Sequence, residues 1–293
     1  MKLKHTKILL LIISISVLIA CNQNKTKNSK PTVSVSIGPQ KYFVEQLTDT
    51  LLNVNVMVPP GASHATYSPT PSQLVKLSQS EAYFLMGHLS FETTWEDKLE
   101  TANNKLKWYN LSKNITPIEG DHDHHHHDDE LCSHGVDPHT WTSPKEVKQI
   151  INNLKEALLE LHPEFKETIE KNHQTFMAKI DELDARLLKL QSINPDLSFM
   201  IFHPAYTYLA QSYGFEQITI EFEGKTPTPA RMQKTIQDAK KKNITTIYIQ
   251  EEFDKTNAET IANSINSKTV QVNPLSENWL EEMNRFITHL EKN

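Results

Sequence analysis

Histidine is concentrated in one short segment of this 293-residue chain. Seven of its 14 histidines fall between positions 122 and 139, and the run that begins at His122 reads HDHHHH between acidic residues. Imidazoles mixed with carboxylates in a loop form weak, multivalent sites for borderline metals such as zinc. The run is internal and interrupted by acids, which argues against a tag and leaves a solvated loop without function as the alternative. We predict a secondary metal site formed by His122, His124, His125, His126, His127 and His134.

Four further candidates stand singly, next to the ends of predicted strands or helices. His64 follows a strand-like run, His139 precedes a helix start, His203 ends the run FMIFH, and Glu251 ends the run IYIQE. In α/β folds, ligands bind at the carboxyl ends of strands. Three neutral imidazoles and one carboxylate make a tetrahedral set that suits Zn²⁺, and the carboxylate partly neutralises the metal's charge. We predict a precise zinc site formed by these four side chains.

Strand-like and helix-like patterns alternate along the chain, as the positioning of such a site requires. Short apolar or period-two runs bounded by turn signals predict strands, and they lie at 33–37, 54–58, 82–86, 199–202, 244–249 and 270–272. Helical patterns between them include 71–77 and 231–240. This alternation predicts an α/β fold built from βα units with parallel sheets.

A long helical pattern separates the two halves. Apolar residues from Phe165 to Leu190 follow three-, four- and seven-residue spacings, and Pro163 is suited to the first position of a helix. The stripe covers about 26 residues, or about 39 Å of helix. It contains no proline or glycine between Glu164 and Leu190. One alternative is a helix packed on a single domain, but its central position favours a rigid bridge between two lobes, with the metal site in the cleft between them.

The first residues resemble an export signal. Three lysines precede the apolar segment 8–20, which is too short for a comfortable membrane span and ends in Leu-Ile-Ala before Cys21. This ending resembles the lipobox of bacterial lipoproteins, in which the cysteine is lipidated and becomes the mature N-terminus; an ordinary secretory signal is the alternative. The polar segment that follows is typical of a disordered tether. Cys132, the only other cysteine, then has no partner within the chain.

Charge and motifs exclude several other functions. The formal net charge of −6 argues against nucleic acid as the main partner, because phosphate binding needs a basic patch. Neither GxxxxGK[ST] nor GxGxxG occurs. The absence of HExxH argues against a zinc hydrolase, in which Glu252 would be the only obvious spare base. We therefore expect a protein that is not an enzyme.

Four segments together resemble one known family. They are PPGASHATYSPTPSQ (59–73), DPHTWTSP (137–144), FHPAYTYLAQSYG (202–214) and IYIQEEFDKTNAETIAN (247–263). With the His-rich insert and the long central helix, they resemble the zinc branch of the cluster A-I solute-binding proteins of bacterial ABC importers. The resemblance implies two βα lobes bridged by a rigid helix, metal held between the lobes, and ligand roles for His139, His203 and Glu251.

The resemblance also implies partners and a location. A member of this family captures zinc outside the cytoplasm and delivers it to an ABC transporter permease with its ATPase. We expect a monomer, anchored by lipid on the periplasmic side of a bacterial membrane or at the cell surface. A lipid-anchored zinc buffer or chaperone that meets no permease remains an alternative. The expected organisation is a signal peptide (1–20), a lipidated tether (21–31), an N-terminal lobe (32–161) with a His-rich loop (119–134), a bridging helix (162–192) and a C-terminal lobe (193–293).

The sequence departs from the family at the first ligand. The usual motif is PHxY, with histidine two residues before tyrosine, whereas here His64 lies three residues before Tyr67. Loop backbone can absorb one residue, so we predict His64 as the ligand. His88, in the segment MGHLSFE after the next strand, is the alternative ligand.

Overall fold

Two four-stranded parallel sheets organise the chain. The computed structural model describes residues 30–120, 135–221 and 228–292. The first sheet has the order β2-β1-β3-β4 and the second β6-β5-β7-β8, so both place their successive strands in the same spatial order. The strands are β1 (Thr32–Val35), β2 (Asn53–Val56), β3 (Ala82–Leu85), β4 (Lys107–Asn110), β5 (Ser198–Ile201), β6 (Glu216–Thr219), β7 (Thr246–Gln250) and β8 (Lys268–Val272). The predicted α/β fold with two parallel-sheet lobes is confirmed.

Helices connect these strands and cover the sheets. In the described part of the chain they are α1 (Gly38–Thr48), α2 (Pro71–Ser78), α3 (Ser90–Ala102), α4 (Pro144–Leu161), α5 (Lys166–Ile193), α6 (Thr207–Tyr213), α7 (Pro229–Lys241), α8 (Thr256–Ile265) and α9 (Trp279–Glu291). Short 3₁₀ turns occur at Thr140–Thr142 and Pro163–Phe165. None of these helices has both the length and the apolar character that a membrane span requires.

Helix α5 is the predicted bridge between the lobes. It is continuous over 28 residues, about 42 Å at 1.5 Å per residue. Pro163 opens a 3₁₀ turn rather than the α-helix itself, which begins at Lys166. The predicted stripe is buried from its second member onward, at Ile169, Phe176, Ile180, Leu183, Leu187 and Leu190. This face packs against α1 and α4 of the first half and α6 and α9 of the second.

The apolar core runs from the first sheet across α5 to one face of the second sheet. On β5, Phe199 and Ile201 belong to this core, whereas Met200 belongs to a smaller core on the opposite face. Successive strand residues point to opposite faces, and both faces of the second sheet are covered by helices. The run Phe199–Phe202 is therefore apolar throughout, and every residue of β7 is buried.

Two tryptophans join the lobes beside the cleft. The indole nitrogen of Trp141 donates to the carbonyl of Pro274 at 2.8 Å, and that of Trp279 donates to the carbonyl of Trp141 at 2.7 Å. Trp279 also packs edge-on against Phe43 of α1 with ring centroids 5.2 Å apart. Both indoles are buried, and their donors are satisfied, so this contact fixes the floor of the cleft without an unpaired polar group.

Candidate metal centre

Three imidazoles meet in the cleft between the lobes. One ring nitrogen from each of His64, His139 and His203 lies within 4.8 Å of the other two. His64 comes from the loop between β2 and α2, His139 immediately precedes the 3₁₀ turn at Thr140–Thr142, and His203 follows β5. The side chains of His139 and His203 are 5% and 23% exposed, so the group opens toward the His203 side.

The loop that carries His64 is closed by Gln73. The Gln73 side-chain amide donates to the carbonyl of Met57 at 2.6 Å, where the loop starts. Its oxygen accepts from the hydroxyl of Tyr67 at 2.7 Å and from the backbone N–H of Thr70 at 2.8 Å, where the loop ends. The backbone N–H groups of Thr66 and Tyr67 both bond to the carbonyl of Ser63. This tight turn around His64 accommodates the extra residue between His64 and Tyr67.

Asp137 fixes both the backbone and the ring of His139. Its Oδ1 atom accepts from the backbone N–H of His139 at 2.8 Å and from ring Nδ1 at 2.8 Å. Burial acts to raise the pKa of Asp137, but the charge and hydrogen bonds of His139 outweigh it and hold the pKa below its usual value. An ionised Asp137 keeps the proton on Nδ1, which leaves the Nε2 lone pair free for a metal.

Glu221 and Gln250 hold His203 in the same manner. Ring Nδ1 of His203 donates to Glu221 Oε2 at 2.7 Å. The Gln250 amide donates to the carbonyl of His203 at 2.7 Å, and its oxygen accepts from the backbone N–H of His203 at 3.3 Å. Phe253 stacks on the imidazole with an interplanar angle of 26°. His203 therefore also presents Nε2. Its backbone is held in place because both its N–H group and its carbonyl bond to Gln250.

His64 differs from the other two imidazoles. Its Nδ1 atom is buried and has no hydrogen-bond partner among the described residues. Burial, together with the neighbouring His139 and His203, lowers the pKa of His64 well below 6.5, against a smaller opposing effect of Asp137. The ring is therefore neutral at neutral pH, with a nitrogen lone pair available for a metal.

A small cavity of about 180 Å³ adjoins the three imidazoles. Its other lining residues are mostly apolar or aromatic, with Glu221 and Glu252 as the carboxylates, and they include Trp141, Ala205, Phe253, Pro274 and Leu275. Three converging nitrogen donors suit zinc or another borderline metal ion rather than Mg²⁺ or Ca²⁺, which prefer oxygen. The geometry is that of a site for one metal ion with a partly enclosed approach.

Comparison with known proteins places the chain in a family. The model of the family described as "ZnuA: Zinc-uptake complex component A periplasmic" matches residues 33–293. The chain belongs to this family. The resemblance inferred from the four sequence segments is confirmed, and the family's description is that of a transport component.

Individual relatives agree with this membership. The zinc-binding lipoprotein AdcA of Streptococcus pneumoniae (strain ATCC BAA-255 / R6) is 28% identical over 99% of this chain, but the chain spans only 60% of that relative's length. The high-affinity zinc uptake system protein ZnuA of Bacillus subtilis (strain 168) is 26% identical over 93% of this chain and 89% of its own. The crystal structure of a ZnuA has a TM-score of 0.81 at 32% identity, over 90% of this chain and 99% of its own. A ZnuA deletion mutant with zinc bound has a TM-score of 0.79 at 32% identity and covers 89% of this chain and 97% of its own.

The structure does not bring the predicted fourth ligand, Glu251, to the imidazoles. β7 ends at the buried Gln250, and Glu251 lies exposed, where its carboxylate accepts from the side-chain amide of Asn273 at 2.9 Å. The next residue, Glu252, lines the cavity instead. Burial raises the pKa of Glu252, against the opposing effects of its own backbone N–H and of His203.

The alternative ligand His88 also lies outside the group of three imidazoles. It is half-buried in the loop between β3 and α3, which Glu92 holds by accepting from the backbone N–H groups of Met86 and Gly87 at 2.7 and 2.6 Å. The structure thus brings together His64 rather than His88 with His139 and His203.

The His-rich run and Cys21 lie outside the described residues, and so do His134 and Cys132. The two ends of the His-rich loop are described. The backbone N–H of Gly120 bonds to the carbonyl of Gly135 at 2.8 Å, and that of Asp137 bonds to the carbonyl of Ile118 at 2.8 Å. The residues that flank 121–134, Gly120 and Gly135, therefore lie side by side, four residues before His139.

Sequence reasoning missed the residues that hold the imidazoles. Asp137, Glu221 and Gln250 bond directly to predicted ligands, and Trp141 lines the cavity, but none was singled out. Asp137 had a usable signal in its position two residues before His139 within DPH. Glu221 and Gln250 had none, because only the paired strands β5, β6 and β7 bring them to His203.

Proposed function

We propose that this protein captures extracytoplasmic zinc with high affinity and delivers it to the permease of an ABC transporter for import. The observation that carries the proposal is the group of three converging imidazoles, two of which have Nδ1 bonded to a carboxylate. Metal-binding histidines almost always have such a partner on the second ring nitrogen, because it fixes the tautomer and the ring orientation. The relatives named for zinc binding and zinc uptake support the same cargo.

The donor set favours zinc over harder metal ions. Imidazole nitrogens suit zinc, whereas manganese, magnesium and calcium favour oxygen donors. Asp137 and Glu221 hold their imidazoles from behind, so their charges stabilise the cation without occupying a coordination position. We expect cobalt and nickel, which also accept imidazole, to compete with zinc for this site.

Delivery implies partners at a membrane. The membership in a zinc-uptake family supports a permease and its ATPase as partners. We expect the binding protein to act as a monomer. The lipobox-like sequence at Cys21 supports a lipid anchor on the periplasmic side of a bacterial membrane or at the cell surface. Fractionation of a Cys21→Ala variant tests the anchor, since its retention in the membrane would exclude lipidation at this position.

The His-rich loop contributes weaker zinc sites. Its flanking residues Gly120 and Gly135 bond to each other four residues before His139, which supports transfer of zinc from the loop to the imidazoles. The loop adds binding capacity, whereas the affinity of the tight site is set by ligands on fixed elements.

Zinc titration of two chains tests this function. One is the full chain, and the other lacks residues 121–134, with Gly120 and Gly135 joined through two added glycines to preserve their backbone contact. Competition with a chromophoric chelator should give one tight site in both chains and additional weak sites only in the full chain. Loss of the tight site on deletion, or its absence from the full chain, would contradict the proposal.

A further inference from the structure

The carboxylates near the cavity differ in what they already bind. Asp137 and Glu221 each accept a hydrogen bond from the Nδ1 atom of an imidazole, so their positions are fixed behind the ligands. Glu252 lines the cavity, is half-buried, and accepts no hydrogen bond from another residue in the described ranges. It is therefore the carboxylate at this site whose oxygens are free for a new partner.

The end of β7 explains why Glu252 faces the cavity and Glu251 does not. Gln250 is buried and points toward His203, whose backbone it holds. The chain turns directly after Gln250, where the backbone N–H of Phe253 bonds to the carbonyl of Gln250 at 3.3 Å. Within this turn Glu251 is exposed and bonds to Asn273, whereas Glu252 lines the cavity. Phe253, which stacks on His203, continues the cavity wall.

Zinc in this cavity requires a fourth ligand. Three imidazoles supply three donors in a small cavity with largely apolar walls, and structural zinc sites, unlike catalytic ones, take a fourth protein ligand. One further carboxylate completes the tetrahedron and adds its charge to those of Asp137 and Glu221, which bond to the imidazoles. An unpartnered, half-buried carboxylate is unfavourable without the metal, which is the arrangement expected of a group waiting for a cation.

We propose that Glu252, rather than Glu251, supplies the fourth ligand to zinc, turning from the cavity wall onto the ion when it binds. The inference rests on the proposed zinc-capture function and deepens it. In the metal-free structure the Glu252 oxygens lie outside the group of atoms within 4.8 Å, so binding requires rotation about the side-chain torsions.

Two other carboxylates are less suited because each has a partner to give up. Glu251 is bonded to Asn273 on the exposed side of the strand end. Glu277, two residues beyond the lining residue Leu275, forms an ion pair of 2.5 Å with Lys41 of α1.

Isosteric substitution in the full chain tests the assignment. Glu252→Gln should weaken zinc binding by more than about 100-fold, beyond the 10–100-fold that partners of ligands typically contribute. The matched controls Glu251→Gln and Glu277→Gln should change it by less than about threefold, since surface ion pairs and hydrogen bonds contribute little. Metal-free Glu252→Gln should unfold at the same temperature as the unmodified chain or higher, which separates a ligand from a residue needed for folding.

A spectroscopic measurement adds a second readout. In Glu252→Ala loaded with Co²⁺, water should take the fourth position and ionise near pH 7, as water does on a metal held by three histidines. The visible Co²⁺ bands should then change with pH around that value, whereas those of Glu251→Ala should not.

Three outcomes would overturn the assignment. They are equal affinity of Glu252→Gln and the unmodified chain, a loss confined to Glu251→Gln or Glu277→Gln, and an equal loss in all three variants, which would indicate a general charge effect. Failure of the proposed function is distinguishable, because it would appear as weak zinc binding by the unmodified chain itself.

Discussion

The two walls of the metal cavity differ in how firmly their side chains are held. The N-terminal lobe supplies His64 and His139, which are 7% and 4% exposed and pack around the buried indole of Trp141. The C-terminal lobe supplies His203, whose side chain is 23% exposed, and Glu252, whose carboxylate has no bonded partner in the described structure. The first wall is a preformed template, and the second retains a group that can still move.

This difference suggests how a carrier holds an ion tightly and also releases it. Continuous packing of α5 with helices of both halves opposes large movements of the lobes. A small rotation of side chains on the C-terminal wall changes the number of ligands without breaking the core. Under the proposed function, release of zinc then requires the loss of ligands from the more exposed wall first.

Removing one imidazole from each wall is the strongest test of this comparison. His139→Ala and His203→Ala should each weaken zinc binding far more than 100-fold, because each removes a ligand rather than a partner of one. The measurement is competition with a chelator of known affinity. His173→Ala is a suitable control, since that half-buried histidine lies on α5 and bonds to Asn152. A variant of either wall that retained affinity within tenfold would show that its imidazole is not a ligand.

His64 and His88 provide the next largest contrast, within the N-terminal lobe. His64→Ala should weaken zinc binding more than 100-fold, whereas His88→Ala should change it by less than about threefold, because only His64 lies with the other imidazoles. Isothermal titration or chelator competition measures both. The reverse order would place the ligand after β3 and would leave zinc capture intact.

Much of the fold was predictable, and the failures share a physical cause. The apolar runs of β1, β3, β5 and β7 are buried in the middle of their sheets. β4 (KWYN) and β6 (EQIT) are edge strands, and none of their residues is buried. Neither strand therefore has the apolar or alternating pattern by which a strand is identified in a sequence. Pairing alone defines them, and pairing depends on residues far away in sequence.

The site was predictable to the extent that its imidazoles lie next to the ends of strands or the start of a helix. His64, His139 and His203 were found in this way, and the structure brings them together. Glu251 and Glu252 lie in the turn that follows β7, and the conformation of this turn decides which carboxylate lines the cavity. Sequence patterns do not define the conformation of such a turn, so the choice between the two carboxylates required the structure.

Substitution of the residues that hold the imidazoles should weaken zinc binding by intermediate amounts. These substitutions again compare the two walls of the cavity. Asp137→Asn removes the carboxylate that orients His139, and Gln250→Ala removes both bonds to the backbone of His203. Each should weaken zinc binding by about 10–100-fold. We expect the larger loss of zinc affinity for Asp137→Asn, because this substitution affects the tautomer of the His139 imidazole as well as its position. Measuring both under one condition checks the order, and a larger loss for Gln250→Ala would show that backbone position matters more than tautomer.

The smallest effect on zinc should come from a buried carboxyl of the N-terminal lobe that lies outside the cavity wall. Burial raises the pKa of Glu92 from 4.5 to about 7, even though Ser36 and the N–H groups of Met86 and Gly87 donate to it. The folded chain then holds this proton more tightly than the unfolded chain, so the contribution of Glu92 to stability falls as pH rises from about 4.5 to about 7. Glu92→Gln imitates the protonated group and removes this dependence.

The difference in free energy of unfolding between Glu92→Gln and the unmodified metal-free chain should therefore change across that pH window in favour of the variant, by at most about 3 kcal/mol. Using the difference cancels the opposite trend that the lowered pKa of His64 gives to both chains, since that histidine withholds a proton that the unfolded chain accepts below about 6.5. Denaturant unfolding at several pH values measures this difference in the free energy of unfolding.

The zinc affinities of the two chains at pH 7.5 should differ by less than about threefold. Glu92 bonds to the loop of His88 and not to the three imidazoles. A difference that changed in the opposite direction would mean that the three donors outweigh burial and that Glu92 is ionised throughout. A large loss of zinc affinity would instead mean that the loop after β3 supports the metal, and the N-terminal wall would then extend beyond His64 and His139.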